Sequence, residues 1–83
     1  MKLLRLVPIL GLTGTSRSTH YAQIKDGLMT APVQLSVHSV AWPEFEVMQI
    51  NAARVAGKTN DEIRLLVTKL MADRKTLGVE VAA

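Results

Sequence analysis

The chain opens with an apolar lead-in, Leu3, Leu4, Leu6 and Val7, which reads as extended chain. Pro8 then suits the first position of a helix, where its missing N–H costs nothing. A short helix is predicted over Pro8–Leu12, burying Ile9, Leu10 or Leu12. Gly11 weakens it and Gly14 supplies a turn. Thr15 or Ser16 caps the next helix, which runs to about Lys25 and stops at Asp26-Gly27. At about 100° per residue, Ile24 faces inward with Leu28 nearby. Arg17, Ser18, Tyr21, Ala22 and Lys25 then sweep across the opposite flank.

The rhythm changes at residues 30–42. Val33, Leu35 and Val37, then Val40 and Trp42, alternate with period two, the signature of strands. A turn near Val37–Ser39 makes this a hairpin, although its tip lacks the Asn-Gly or Asp-Gly of a tight turn. Trp42 lies on the alternating face and is expected in the core. Pro43 opens a further helix at its first position, with Glu44 and Glu46 where the macrodipole favours anions. Val47, Ile50, Ala53 or Arg54 form one apolar row of this helix, and Met48, Ala52 and Val55 another, before Gly57 ends it. Thr59-Asn60-Asp61-Glu62 has the form of a capping box. Ile63, Leu66, Val67, Leu70 and Met71 follow at helical spacing. Arg74 and Lys75 are placed to complement the dipole end, and Gly78 is placed to stop the helix.

These elements predict a mainly α protein with a small β-ribbon, an α+β winged helix-turn-helix with two C-terminal helices. Residues 1–76 are read as a single domain and 77–83 as a frayed tail. The helix at about 16–25 follows a glycine turn and a hydroxyl cap. It thereby occupies the place of a recognition helix, whose N-terminal residues approach base edges in the DNA major groove. The ribbon at about 33–42 is then the wing.

Charge supports this placement. The net charge is +3. Residues 1–41 carry Lys2, Arg5, Arg17 and Lys25 against Asp26 alone, whereas residues 42–83 balance six basic side chains with six acidic ones. The excess cation therefore lies in the half that holds the recognition helix, the sign a phosphate-facing surface needs. With 83 residues, the chain suits one small, modestly stable domain that self-association would help.

Other chemistry finds little support. There are no cysteines, which removes disulfides, thiolate zinc sites and cysteine nucleophiles and suits a reducing cytoplasm. Two histidines without a cysteine partner do not make a metal site. Asp61 and Glu62 read as helix capping rather than an acid/base pair. There is no nucleophile elbow, so no catalytic residue, small-molecule substrate or cofactor is expected. The N-terminal apolar run is interrupted by Arg5, bent by Pro8 and followed by no small-residue cleavage site, unlike a signal peptide. Nothing approaches the ~20 apolar residues of a membrane span.

The candidate partner is double-stranded DNA. Arg17 is the leading contact, able to reach a phosphate or the O6 and N7 of guanine. Ser18 and Thr19 offer hydroxyls to phosphates. Ser16 is more useful as the cap, and Tyr21 is either a phosphate donor or a core side chain with its hydroxyl at the rim. Lys25 is a peripheral contact and His38 a wing contact. His20 reads as a half-buried spacer. Ile63, Leu66, Val67 and Leu70 are either a core stripe or the seam of a homodimer, which would set two recognition helices about 34 Å apart on a palindromic site.

Three stretches resemble the AlpA family of phage and prophage regulators. They are Leu4-Arg5-Leu6 leading to Thr13-Gly14-x-Ser16-Arg17-Ser18-Thr19-x-Tyr21, the ribbon end Ser39-Val40-Ala41-Trp42, and Asn51-Ala52-Ala53-Arg54. The resemblance implies a winged helix-turn-helix akin to MerR-class proteins and excisionases, acting as a transcriptional regulator. Alternatives are an excisionase-like DNA-bending factor and, from another class, a helical interaction module. Members of the family usually carry an apolar residue at His20, a basic one at Ala22, an apolar one at Gln23, glycine at Ser36 and arginine at His38. Two of the phosphate contacts that the resemblance implies are therefore altered here, at Ala22 and His38.

Overall fold

The computed structural model describes the backbone of residues 1–82 and the side chains of residues 1–77. The elements run β1 (Leu3–Leu4), α1 (Leu6–Thr13), α2 (Arg17–Lys25), β2 (Val33–Ser36), β3 (Ser39–Pro43), α3 (Glu44–Val55) and α4 (Asn60–Ala82). This is the expected α+β winged helix-turn-helix. Residues 14–16 form the short connection between α1 and α2, and Gly14 takes the left-handed φ of 69° there. Most side chains reach that conformation only with strain.

The antiparallel sheet has the order β1-β3-β2. Leu3 lies opposite Pro43 and Leu4 opposite Trp42, so the N-terminal lead-in becomes an edge strand beside the wing. The lead-in ends sooner than expected, because Leu6 and Val7 already belong to α1. Pro8 thus sits in the first turn of α1 rather than opening it. The cost is still avoided, since N–H groups throughout the first turn have no intrahelical acceptor. Pro43 is shifted in the same sense: it ends β3 and caps α3, and Glu44 is the first helical residue.

The hairpin turns at Val37-His38, with Ser36 opposite Ser39. Among the described residues no non-glycine takes a positive φ, so this is not the mirror-image turn favoured in tight hairpins. A register shift between Gln34 and Ser36 absorbs the mismatch. The Gln34 amide braces the tip by donating to the carbonyls of Ser36 and Val37.

The core gathers Ile9, Leu28, Met29, Trp42, Val47, Ile50, Ile63, Val67 and Leu70. Trp42 is completely buried, and its indole N–H donates to the Thr30 carbonyl at 3.0 Å. Two expected apolar faces lie outside this core. Leu35 on β2 is 46% exposed and Val37 at the turn 85% exposed, so among the described residues nothing covers this face of the ribbon. On α3, the row Val47–Ile50 turns inward, whereas Met48, Ala52 and Val55 face solvent.

The stripe on α4 belongs to the domain itself. Ile63, Val67 and Leu70 are buried and Leu66 is half-buried, so these side chains are already covered without a second copy. The capping box forms as expected. The Thr59 N–H donates to the Glu62 carboxylate at 3.0 Å, and the Glu62 N–H donates to Thr59 Oγ1 at 3.2 Å. Helical backbone continues through Gly78 to Ala82. A lone glycine costs a helix about 1 kcal/mol relative to alanine, which is not enough to end it here. The expected frayed end falls largely on side chains outside those described.

Because α4 is longer than expected, Arg74 lies mid-helix. It forms a two-pronged bond to the buried Glu46, with Nε to Oε2 at 2.9 Å and one Nη to Oε1 at 2.6 Å. The same Nη also donates to the Ala31 carbonyl at 2.7 Å. Periodicity assigned these two residues to separate helix dipoles. In the structure the half-buried Arg74 and the buried Glu46 form one pair that joins α4, α3 and the approach to the wing.

Candidate nucleic-acid interface

The candidate interface is centred on α2. Ser16 is its cap, with Oγ accepting from the Thr19 N–H at 3.2 Å. The Ser16 hydroxyl also donates to Thr19 Oγ1 at 3.0 Å and accepts from the Ser18 hydroxyl at 3.3 Å. A small hydroxyl network therefore orders the helix start, with Arg17 beside it. Thr15 takes no part in the cap and bonds instead to Thr13 Oγ1 at 2.8 Å.

The face of α2 is as expected on its outer side. Arg17, Ser18, Thr19, Ala22 and Lys25 are exposed, and Tyr21 is 42% exposed. Among the described residues neither Arg17 nor Lys25 makes an ion pair with a carboxylate. Both cations thus face outward, with no carboxylate partner among the described residues. His38 lies on the wing tip and is also exposed. It stands next to Val37, so the tip presents one apolar side chain and one imidazole.

The inner side differs from expectation. His20 is not a half-buried spacer but is completely buried, the one residue of α2 that is. Its ring meets Trp42 edge-on at 4.8 Å and Tyr21 at 5.7 Å. Tyr21 in turn lies 6.3 Å from Trp42. Such aromatic pairs contribute about 0.5–1.5 kcal/mol beyond area burial. Among the described residues neither nitrogen of His20 has a hydrogen-bond partner. Burial pushes its pKa below the ordinary 6.5, because the charged form loses its water. The ring is therefore neutral at neutral pH. Tyr21, for which sequence left two roles open, serves the aromatic cluster on one side and is exposed on the other.

Two further side chains steady the helix-turn-helix from behind. Asn51 of α3 donates to the Leu12 carbonyl at 3.0 Å, satisfying an acceptor in the last turn of α1. Arg64 of α4 donates through Nε to the Asp26 carbonyl at 2.9 Å and pairs with Asp61 at 3.0 Å. Helix ends leave carbonyls unpaired, and here the two C-terminal helices supply the donors. Sequence reasoning missed both braces. Asn51 stood in a motif of the family resemblance, but its partner is 39 residues away and left no local signal.

The family described as prophage CP4-57 regulatory protein (AlpA) matches residues 2–55. That span holds the helix-turn-helix, the whole sheet and α3, and stops short of α4. A protein of Enterobacteria phage P4 described as uncharacterized protein ORF88 is 39% identical over 57 residues, which cover 69% of this chain and 65% of that protein. The chain thus spans just under two-thirds of that relative's length. No solved structure matches the chain. Within the described residues no helix is long and apolar enough to cross a membrane. The matched span contains the elements of the candidate interface, and by it the chain belongs to the AlpA family of prophage regulatory proteins.

Proposed function

We propose that this protein is a sequence-specific DNA-binding transcriptional regulator that lays α2 in the major groove with the β2–β3 wing beside it. The observation that carries the reading is the two-sidedness of α2. Its inner side sets the fully buried His20 against Trp42 with Gln23 and Ile24 half-buried beside it, and its free side offers Arg17, Ser18, Thr19, Tyr21 and Lys25 together. Arg17, at the N-terminal end, has the reach and geometry for guanine or a phosphate. Ser18 and Thr19 supply hydroxyls, Lys25 a peripheral phosphate contact and His38 a wing contact. Alanine at position 22 makes this a lightly charged reading surface, so binding by a pair of copies suits it better than binding by one.

Selection of bound sequences from a random DNA pool, followed by salt titration, tests the reading. A defined motif is expected, with affinity falling as salt rises by about 0.9 log units per phosphate contact for each log unit of salt. Absence of any preference over random DNA sinks it. The exposed row Met48, Ala52 and Val55 favours a second reading, a helical interaction module. In that case no DNA motif emerges, and association depends on Met48 and Val55 rather than on Ile63, Leu66 and Leu70.

A further inference from the structure

We infer that His20 is the positioning residue of the recognition helix, and that a proton on its imidazole releases α2 from the wing. The inference begins with the geometry of one ring. His20 is the one completely buried side chain of α2, and the helix has otherwise only partly buried residues, Gln23 and Ile24, turned inward. The docking of α2 therefore depends heavily on this contact.

The surroundings of the ring offer a cation two aromatic rings but, among the described residues, no carboxylate and no hydrogen-bond acceptor. On β3 its neighbour is the Trp42 ring at 4.8 Å, and on α2 it is the Tyr21 ring at 5.7 Å. Trp42 carries no charge, and its N–H is already given to the Thr30 carbonyl. The charged side chain that reaches α2 from α4 is Arg64, bonded to the Asp26 carbonyl and Asp61, and no carboxylate pairs with His20 among the described residues. Both ring nitrogens are buried without a partner.

A neutral imidazole tolerates such a site as a flat aromatic ring. An imidazolium has two N–H donors and a charge to solvate, and it finds neither acceptor nor counter-ion. The sign follows. Protonation favours the state in which His20 reaches water, so docking is strongest above pH 6.5, the ordinary value, and weakens as pH falls below it. Release exposes the inner side of α2 and loosens the orientation of Arg17. The consequence for DNA rests on the reading proposed above, whereas the docking equilibrium is a property of the free protein.

Amide hydrogen exchange of α2, measured on the full chain without DNA and corrected for intrinsic rates, tests the inference. From about pH 7.5 to about pH 5.5, α2 protection is expected to fall by up to tenfold per unit below 6.5, the slope of one proton. His20→Leu, and His20→Phe as a second apolar replacement that keeps a ring against Trp42, should dock α2 and lose this pH dependence. His38→Ala should retain it. Constant α2 protection in the wild type, or the same acid-induced loss in both His20 variants, overturns the inference. Because no DNA is present, a failure of the DNA-binding proposal leaves this result unaffected.

Discussion

Both α2 and α4 start on a hydroxyl cap, yet they are fastened to the molecule by different means. At the start of α4, Thr59 and Glu62 exchange hydrogen bonds, and Ile63, Val67 and Leu70 follow into the core. The cap of α2 is Ser16, and His20 is its one completely buried residue. The difference follows from what each helix leaves free. A helix that leaves most of its circumference exposed has little left with which to hold its own domain. Its anchorage is supplied by neighbours, through the Trp42 ring and the Arg64 bond to Asp26. The supporting helix spends its apolar side on the core and keeps its charges for solvent and for Glu46.

The contrast is broken most severely at Arg74. Arg74→Met removes the donors of a completely buried carboxylate and leaves Glu46 stranded. A loss of about 3–5 kcal/mol is expected in denaturant unfolding, as for other buried pairs stripped of one partner. Replacing both residues with apolar side chains should recover much of it, and a double-mutant cycle measures how much. Next is Ile63→Ala, which opens a cavity beneath α4 at about 2–5 kcal/mol. No α2 substitution on the exposed face should approach that figure.

Arg17→Ala tests the opposite side of the comparison. It should cost about 1–3 kcal/mol of binding to the selected DNA if the arginine pairs with guanine, with the unfolding midpoint unchanged. A uniform loss over all sequences, with a shallower salt slope, would instead identify a phosphate contact. Ser16→Ala and Thr59→Ala each remove one cap and should each cost about 1 kcal/mol. The serine variant should weaken DNA binding as well, since it also unties Ser18 and Thr19 at the reading end. Equal effects of both variants on DNA binding would count against the assignment of α2.

The two helices also differ in the acidity at which they fail. The Thr59 backbone N–H, then its hydroxyl, and then Lys58 hold the Glu62 carboxyl below its ordinary 4.5. Stability from that cap is present above pH 4.5 and is lost as pH falls through the lowered value. The contribution of His20 weakens earlier, once pH drops below 6.5. Between these two limits α2 should loosen while the start of α4 keeps its protection, which residue-resolved exchange can follow.

Much of this organisation could be read from short stretches of sequence. Ser16, Gly14, Asp26-Gly27 and the Thr59–Glu62 box each act within a few residues of themselves. Their caps and turns therefore formed where the local chemistry put them. The outward side of α2 was equally legible, because helical spacing alone sets Arg17, Tyr21 and Lys25 apart from Ile24. Periodicity was less reliable where it had to say which apolar face is covered. Leu35, Val37, Met48 and Val55 fit strand and helix patterns and still lie outside, since a pattern marks a side of an element and not the neighbour that will cover it.

Sequence by itself determined the order of the elements, their caps and the polar face offered by α2, because those depend on residues one helical turn apart or less. Only tertiary structure decided that Glu46 would meet Arg74, that Asn51 would close α1 and that His20 would lie sealed against Trp42. The first two partners are 28 and 39 residues apart, and the third pair spans α2 and β3. Such meetings carry no local code. They arise when buried polar groups, brought together by the packing of apolar faces, must find partners inside the fold or go without.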